Sequence, residues 1–465
     1  MGRSLSQLKV LEQAGVAVTD CSTLELGDVL RTLPGRREVY RATMVSPQLE
    51  VIAKCFLPHP KQARDWRREW EGLLHLQAAG LPAPMPIAVC QDSQERVYVL
   101  MQYLPDAVTL GAFLESAEGA VLRDCMARLA ELVTALQRVG ARQTDQHADN
   151  WALAAGRLYL LDAGSYRFEG ARLDAAACTA DVAAVCVTLP PQAERFFRES
   201  LELSDTAKAA LSAALPSLQQ ARVRRYYKKS QRACTEFAAH TDGEWLGMSA
   251  KQADPNLVKS FFQDPDALME LGERIKSGNT CTVQGFCRGD RRYVLKRYNQ
   301  KPWGTRLRRA LFQSRARRSW SNSWVLNMAF IPTASSVAFA EERGFPLRRS
   351  YLLMEQVNAY LLPDYVARYR EDPIRLEALA AAVGEIWLQL ERIAAAHGDL
   401  KATNWMVDAA GQVFLIDLDS FRFGLSASAL NAGRKKDLKR FLENWKSDPS
   451  LVELFRVRME APTLL

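Results

Sequence analysis

Apolar positions along this chain fall into short β-like runs and helical stripes, and both appear twice in the same order. Glu50-Val-Ile-Ala-Lys-Cys-Phe56 reads as a strand, and a helix is predicted over residues 62–78. Trp66, Trp70, Leu73, Leu74 and Gln77 fall on one stripe of that helix. A strand at 96–102 and long helices at 120–139 and 176–189 follow. The second half repeats the theme, with Arg292-Tyr-Val-Leu-Lys-Arg-Tyr298 as a strand and 434–445 as a helix. Residues 235–278 have weak periodicity around the turn-rich Ala253-Asp-Pro-Asn256, which predicts a junction there. The class is α+β.

The recurrence extends to individual residues. Thr144-Asp-Gln-His-Ala-Asp-Asn150-Trp answers to Gly398-Asp-Leu-Lys-Ala-Thr-Asn404-Trp, with the same Asp-to-Asn step. Gly156-Arg-Leu-Tyr-Leu-Leu-Asp162 then answers to Gly411-Gln-Val-Phe-Leu-Ile-Asp417. Upstream, Tyr98-Val-Leu-Met101 matches Tyr351-Leu-Leu-Met354, Leu81-Pro82 matches Ile331-Pro332, Trp70 matches Trp320, and Lys54 matches Lys296. So many ordered matches predict a tandem duplication with about 230 residues per copy, a size that supports its own core. The expected division is 1–234, a junction at 235–270, and 271–465.

Composition narrows the class. The 465 residues are 48% hydrophobic and 25% charged, which excludes disordered and fibrous chains. No run approaches the roughly 18 apolar residues of a membrane span, and the first residues lack a signal-peptide core. Nine cysteines stand singly, without a Cys-x-x-Cys pair, and five histidines form no cluster. A reducing compartment is expected, with neither disulfide framework nor zinc site. The net charge of +8 favours an anionic partner such as a nucleotide, a phosphorylated sugar or a membrane face.

Phosphoryl transfer needs little covalent chemistry from a protein beyond positioned charge. A strand lysine holds phosphates, a carboxylate receives the acceptor's proton, and an Asn and a further Asp supply hard oxygens to Mg²⁺. The order Lys, Glu, Asp-x-x-x-x-Asn, Asp suits that task, and most of it occurs twice here. Glu69 and Glu71 compete as partner to Lys54. Glu69 lies at the edge of the Trp66/Trp70/Leu73 stripe and Glu71 points away, so Glu69 is preferred. In the second copy both positions are serine (Ser319 and Ser321), leaving Glu341 or Glu342 as candidate replacements.

At these residues the chain resembles the protein-kinase-like superfamily, and within it the lipopolysaccharide kinase (WaaP/InaA/Kdo-kinase-like) group. His397-Gly-Asp399-Leu-Lys-Ala-Thr-Asn404 looks like a catalytic loop and Leu415-Ile-Asp417-Leu-Asp-Ser like the metal-binding segment. The resemblance implies two tandem bilobal domains, each with a β-rich N-lobe and a helical C-lobe, with ATP and Mg²⁺ in the cleft. It implies that Asp399 is the base, that Asn404 and Asp417 bind Mg²⁺, and that Lys296 engages the phosphates. Lys401 would contact the γ-phosphate, and Met354 and Glu355 would begin the hinge against adenine. The first copy retains Lys54, Glu69, Asp145, Asn150 and Asp162. It has lost the His-Gly, however, and carries His147 in place of Lys401. Neither half has a clean Gly-x-Gly-x-x-Gly. The second copy is the expected catalyst.

The implied acceptor is a sugar hydroxyl of the lipopolysaccharide core, reached from the cytoplasmic side of the inner membrane. Residues 301–318 hold seven basic residues and no acid, with Leu307, Leu311 and Phe312 between the cations, which suits an anionic membrane face or a glycolipid. No nucleic-acid-binding signature accompanies the charge. Two other readings stay open. One is a tandem pseudokinase that scaffolds other envelope-biosynthesis enzymes; the other is a kinase of a protein or small metabolite, since aminoglycoside-type phosphotransferases use a similar loop. Trp151 and Trp405 read as core, and Ser165 and Ser420 as local caps.

Overall fold

Alternation along a strand decides which face each side chain takes, and it sets up both lysines. In the strand Leu49–Phe56, Val51, Ala53 and Cys55 enter a core shared with Ala42, Met44, Tyr98 and Leu100. Lys54 is out of phase with them and faces the other side, yet is only 6% exposed. In the strand Arg291–Tyr298, Tyr293 and Leu295 likewise enter a core with Tyr351 and Leu353. Lys296 and Tyr298 take the opposite face, and both are buried.

The computed structural model describes residues 3–14, 20–46, 48–278, 281–299, 313–344 and 349–460. Helices and sheets are mixed, and the chain divides into two compact units, Met1–Leu215 and Pro216–Leu465. The helix Asp205–Lys229 runs through the boundary. No helix among the described residues is long and apolar enough to cross a membrane.

Met1–Leu215 holds a seven-stranded antiparallel sheet. Its order is Arg3–Leu5, Asp20–Leu33, Arg37–Ser46, Leu49–Phe56, Val97–Gln102, Pro86–Gln91, Lys9–Gln13. The helix Gln62–Ala78 buries Trp66, Glu69, Trp70, Leu73 and Leu76, whereas Leu74 and Gln77 are exposed. The buried stripe thus lies slightly to one side of the expected one. Gly72 is needed on it, because a Cβ there would sit 2.3 Å from the Ala163 carbonyl oxygen. The helix therefore lies flush on the turn Ala163–Ser165. The long helix is Gly119–Arg138, with Leu122, Met126, Leu129, Val133 and Leu136 buried at helical spacing. Ala175–Cys186 and Pro191–Glu199 follow it.

Pro216–Leu465 also holds a seven-stranded antiparallel sheet. Its order is Phe237–Asp242, Trp245–Ala250, Ser336–Glu342, Ser350–Glu355, Arg291–Tyr298, Cys281–Arg288, Glu273–Ser277. Residues 235–270, expected as a junction, instead supply two of these strands and the helices Pro255–Gln263 and Pro265–Glu270. Their weak periodicity has a physical cause: Phe237-Ala-Ala-His-Thr-Asp242 is an edge strand with only Phe237 buried. A second core forms among the helices Leu362–Arg368, Pro373–Arg392, Ala427–Leu442 and Pro449–Glu460, around Trp387, Trp405 and Phe441. Trp151 and Trp405 are both fully buried, as core residues should be. Residues 301–312 of the basic run lie outside the described residues; Arg315, Arg317 and Arg318 open the helix Arg315–Met328.

Candidate active site

In Pro216–Leu465 three elements converge on one cavity of about 510 Å³. The strand Arg291–Tyr298 brings Lys296. The short helical turn Ala402–Asn404 brings Asn404, and the strand Val413–Leu415 runs on to Asp417. Met354, Glu355, Lys401 and Ile416 also line the cavity, and Val294, Leu352 and Met406 give it apolar walls. Lys296 Nζ lies 2.5 Å from Asp417 Oδ1. Asp417 sits in the left-handed region at φ 63°, which a short polar side chain tolerates better than most, and such strain clusters at functional sites.

The Asp-x-x-x-x-Asn spacing works as a closed turn. The Asn404 side-chain amide donates to the Asp399 carbonyl at 2.8 Å, and the Ile416 amide donates to the Asn404 carbonyl at 3.0 Å. The Asn404 side-chain oxygen remains as a neutral hard donor. Among the described residues no three His, Cys, Asp or Glu side chains gather as a metal cluster. An Asn and an Asp beside a lysine fit Mg²⁺ well, since that ion keeps waters and takes ligands from substrate phosphates.

The loop is anchored from beneath. The backbone N–H groups of His397 and Gly398 donate to the Asp437 carboxylate at 2.7 and 3.0 Å. His397 is fully buried, which depresses its pKa and keeps the ring neutral, with Nε2 donating to the Ile416 carbonyl at 3.1 Å. Gly398 has φ 81°, and a Cβ would press on the Ser420 carbonyl at 2.8 Å, so only glycine suits the position. Asp399 itself is paired with Arg440 at 2.6 Å and lies 3.7 Å from Lys401.

Neither expected replacement for the helix glutamate serves Lys296. Glu342 pairs with Arg349 at 2.7 Å, and Glu341 sits on the strand Ser336–Glu342 opposite Ser350. The second carboxylate beside Lys296 is Asp419, at 3.3 Å. Asp419 also accepts hydrogen bonds from the Tyr298 and Ser319 hydroxyls, each at 2.7 Å, and from Arg315. Burial works against charge on both partners. On Lys296, Tyr298, Asp419 and Asp417 outweigh it and raise the pKa; on Asp419, Lys296 and Arg315 outweigh it and lower the pKa. Sequence reasoning missed Asp419, yet a signal existed: Asp162-Ala-Gly-Ser165 aligns with Asp417-Leu-Asp-Ser420.

Met1–Leu215 assembles a related set. Lys54 Nζ lies 2.6 Å from both Glu69 Oε2 and Asp162 Oδ1. Asn150 donates to the Asp145 carbonyl at 2.7 Å, and Asp162 is left-handed at φ 52°. Glu69 is buried and Glu71 exposed, as the stripe predicts. Four features differ. Arg37 reaches Asp162 at 3.3 Å, and Lys54 with Arg37 holds that carboxyl down to about 2. The cavity here is about 220 Å³, with Arg37, His59, Arg68, Glu69, Asp145 and Asp162 in its wall. His147 is spent on the local turn, accepting from the Asp149 amide. Gln143, in the place of His397, is buried with neither amide atom partnered among the described residues.

Residues 266–453, less than half of the chain, match the lipopolysaccharide kinase (Kdo/WaaP) family. The matched stretch contains Lys296, Asp399, Asn404, Asp417 and Asp419, and it supports a kinase. No curated protein matches the chain.

Proposed function

We propose that Pro216–Leu465 transfers the γ-phosphate of ATP to a sugar hydroxyl of the lipopolysaccharide core. The observation that carries this reading is the meeting of Lys296, Asn404 and Asp417 in one apolar-walled cavity, on a loop that also holds Asp399. Lys296 holds phosphate oxygens as a fixed charge, and the apolar walls accept the adenine. Asn404 and Asp417 would hold Mg²⁺, which neutralises charge on the phosphates when bound. Asp399 receives the proton of the acceptor hydroxyl once Arg440 yields it. Lys401 faces the same cavity and steadies the transferring group.

In this reading the chain is a tandem pair of bilobal kinase-like domains, and Met1–Leu215 is the copy that has drifted from catalysis. The ordered matches between the halves and the two seven-stranded sheets support that descent. Attachment to the anionic cytoplasmic face of the inner membrane rests on the net charge and the basic run at 301–318. A non-catalytic scaffold draws on one observation, the ion pair that Arg440 makes with Asp399.

The test is phosphate transfer from ATP to purified core oligosaccharide, read by mass spectrometry as the gain of one phosphate. Wild-type protein should add it, and Asp399→Ala should lose at least about a hundredfold in rate, the scale of general-base catalysis. A protein that binds Mg-ATP but transfers nothing to core sugar, with Asp399→Ala indistinguishable from wild type, would sink the proposal.

A further inference from the structure

The geometry points to Asp419 as the positioning carboxylate of Lys296, relocated from the helix to the turn by a reciprocal exchange of two residues. This rests on the catalytic reading above. In Met1–Leu215 the helix carries Glu69 and the turn carries Gly164; in Pro216–Leu465 the helix carries Ser319 and the turn carries Asp419.

The two arrangements crowd one another. A Cβ at Gly164 would lie 3.0 Å from Glu69 Oε2 and 3.3 Å from the Glu69 backbone nitrogen. A side chain on the turn and a glutamate on the helix thus claim the same volume beside the lysine. Where the turn residue is glycine, its N–H donates to Glu69 Oε2 at 3.1 Å. Where the turn residue is Asp419, the helix position has shrunk to Ser319, whose hydroxyl donates to that carboxylate at 2.7 Å. The charge beside the lysine is conserved in place while its covalent attachment has moved.

Lys296 has two acidic neighbours in this structure, but Asp417 is the one suited to a cation and phosphates. Asp419 is 7% exposed and committed to Tyr298, Ser319 and Arg315, so it stays behind to hold the ammonium. Loss of that hold lets the lysine wander, and a displacement of about 1 Å at a reacting centre is worth about a hundredfold in rate.

The experiment uses the full chain and five proteins: wild type, Asp419→Asn, Asp419→Gly, Ser319→Glu, and Asp419→Gly combined with Ser319→Glu. Without nucleotide, reductive methylation of Lys296 is followed against pH by mass spectrometry. Asp419→Asn keeps the shape and most hydrogen bonds but removes the charge. It should shift the labelling curve to lower pH by at least about one unit, or tenfold in rate at fixed pH. With ATP, Asp419→Gly should lose about a hundredfold in kcat/KM, and the double exchange should recover at least about tenfold of that. Ser319→Glu alone should be harmful, because two carboxylates then share one buried space. An unmoved labelling curve in Asp419→Asn overturns the inference. So does a double exchange that folds, by circular dichroism, yet does no better than Asp419→Gly. A wild-type protein inert toward ATP defeats the catalytic reading, while the labelling arm still decides the role of Asp419.

Discussion

The two lysine sites meet one electrostatic demand with different covalent plans. Lys54 is held at 2.6 Å by a helix glutamate and by Asp162, while Lys296 is held by two aspartates of a single turn. Beyond the lysine the two sites diverge. Asp162 is engaged by Arg37 as well as Lys54, so its charge is already answered from within the chain. Beneath the loops, Asp437 receives two backbone amides, whereas Asp181 in the helix Ala175–Cys186 is buried beside Gln146 at 3.3 Å. Burial lifts the Asp181 carboxyl to about 6. A lysine–carboxylate ion pair thus occurs in both units, but the two-amide anchor beneath the Asp-to-Asn loop is found in the second.

The comparison breaks most sharply at the lysines. Lys54→Met strands Glu69, which is 2% exposed, with the Gly164 amide as its remaining described partner. Removing one member of a buried pair costs about 3–5 kcal/mol. Lys296→Met should cost clearly less, because Asp419 keeps Arg315, Tyr298 and Ser319. Urea denaturation gives the totals, and hydrogen exchange in Leu49–Phe56 and Arg291–Tyr298 assigns each loss to its unit. Equal losses would mean that Asp419 is not independently supported.

The next effect is pH-dependent. Unfolded, the Asp181 carboxyl titrates near about 3.9, and folded near about 6, so the folded chain binds the extra proton. Stability from this group therefore falls as pH rises from about 4 to about 6. Asp181→Asn should remove that slope and raise stability at pH 7 by on the order of 2 kcal/mol, read by denaturation across pH. Asp162 works in the opposite sense: its contribution is complete above the unfolded value and is lost as pH falls toward about 2. The smallest effect is at Arg37, a half-buried pair partner. Arg37→Ala should cost at most about 1 kcal/mol, and should give the first unit a Mg²⁺-dependent rise in melting temperature greater than wild type shows.

Local periodicity carried much of this into the sequence. The strand lysines, the Asp-to-Asn turns and the choice of Glu69 over Glu71 are readable because each depends on spacing within a few residues. Leu74 and Gln77 share the helical stripe of Trp66, Trp70 and Leu73 yet are exposed, because helical spacing alone does not locate the centre of a buried face. The edge hairpin at 237–250 looked like a linker because an edge strand needs little apolar alternation. Arg37 and Asp419 act across more than a hundred residues of chain, where spacing is silent. Asp419 was nonetheless hinted at by two differences from the matching segments of Met1–Leu215, at 319 and 419, that make sense only when read together.

Because Asp417 and Asp419 stand two residues apart on one short turn, the acidic side of the second site moves as a single piece. Kinases that keep their glutamate on a helix can be disarmed by swinging that helix outward. Tilting Arg315–Met328 here would withdraw Ser319 and Arg315 but leave the lysine its carboxylate. If the proposed transfer is right, a helix swing alone would not strip the lysine of its charge partner, because Asp419 travels with the turn and not with the helix.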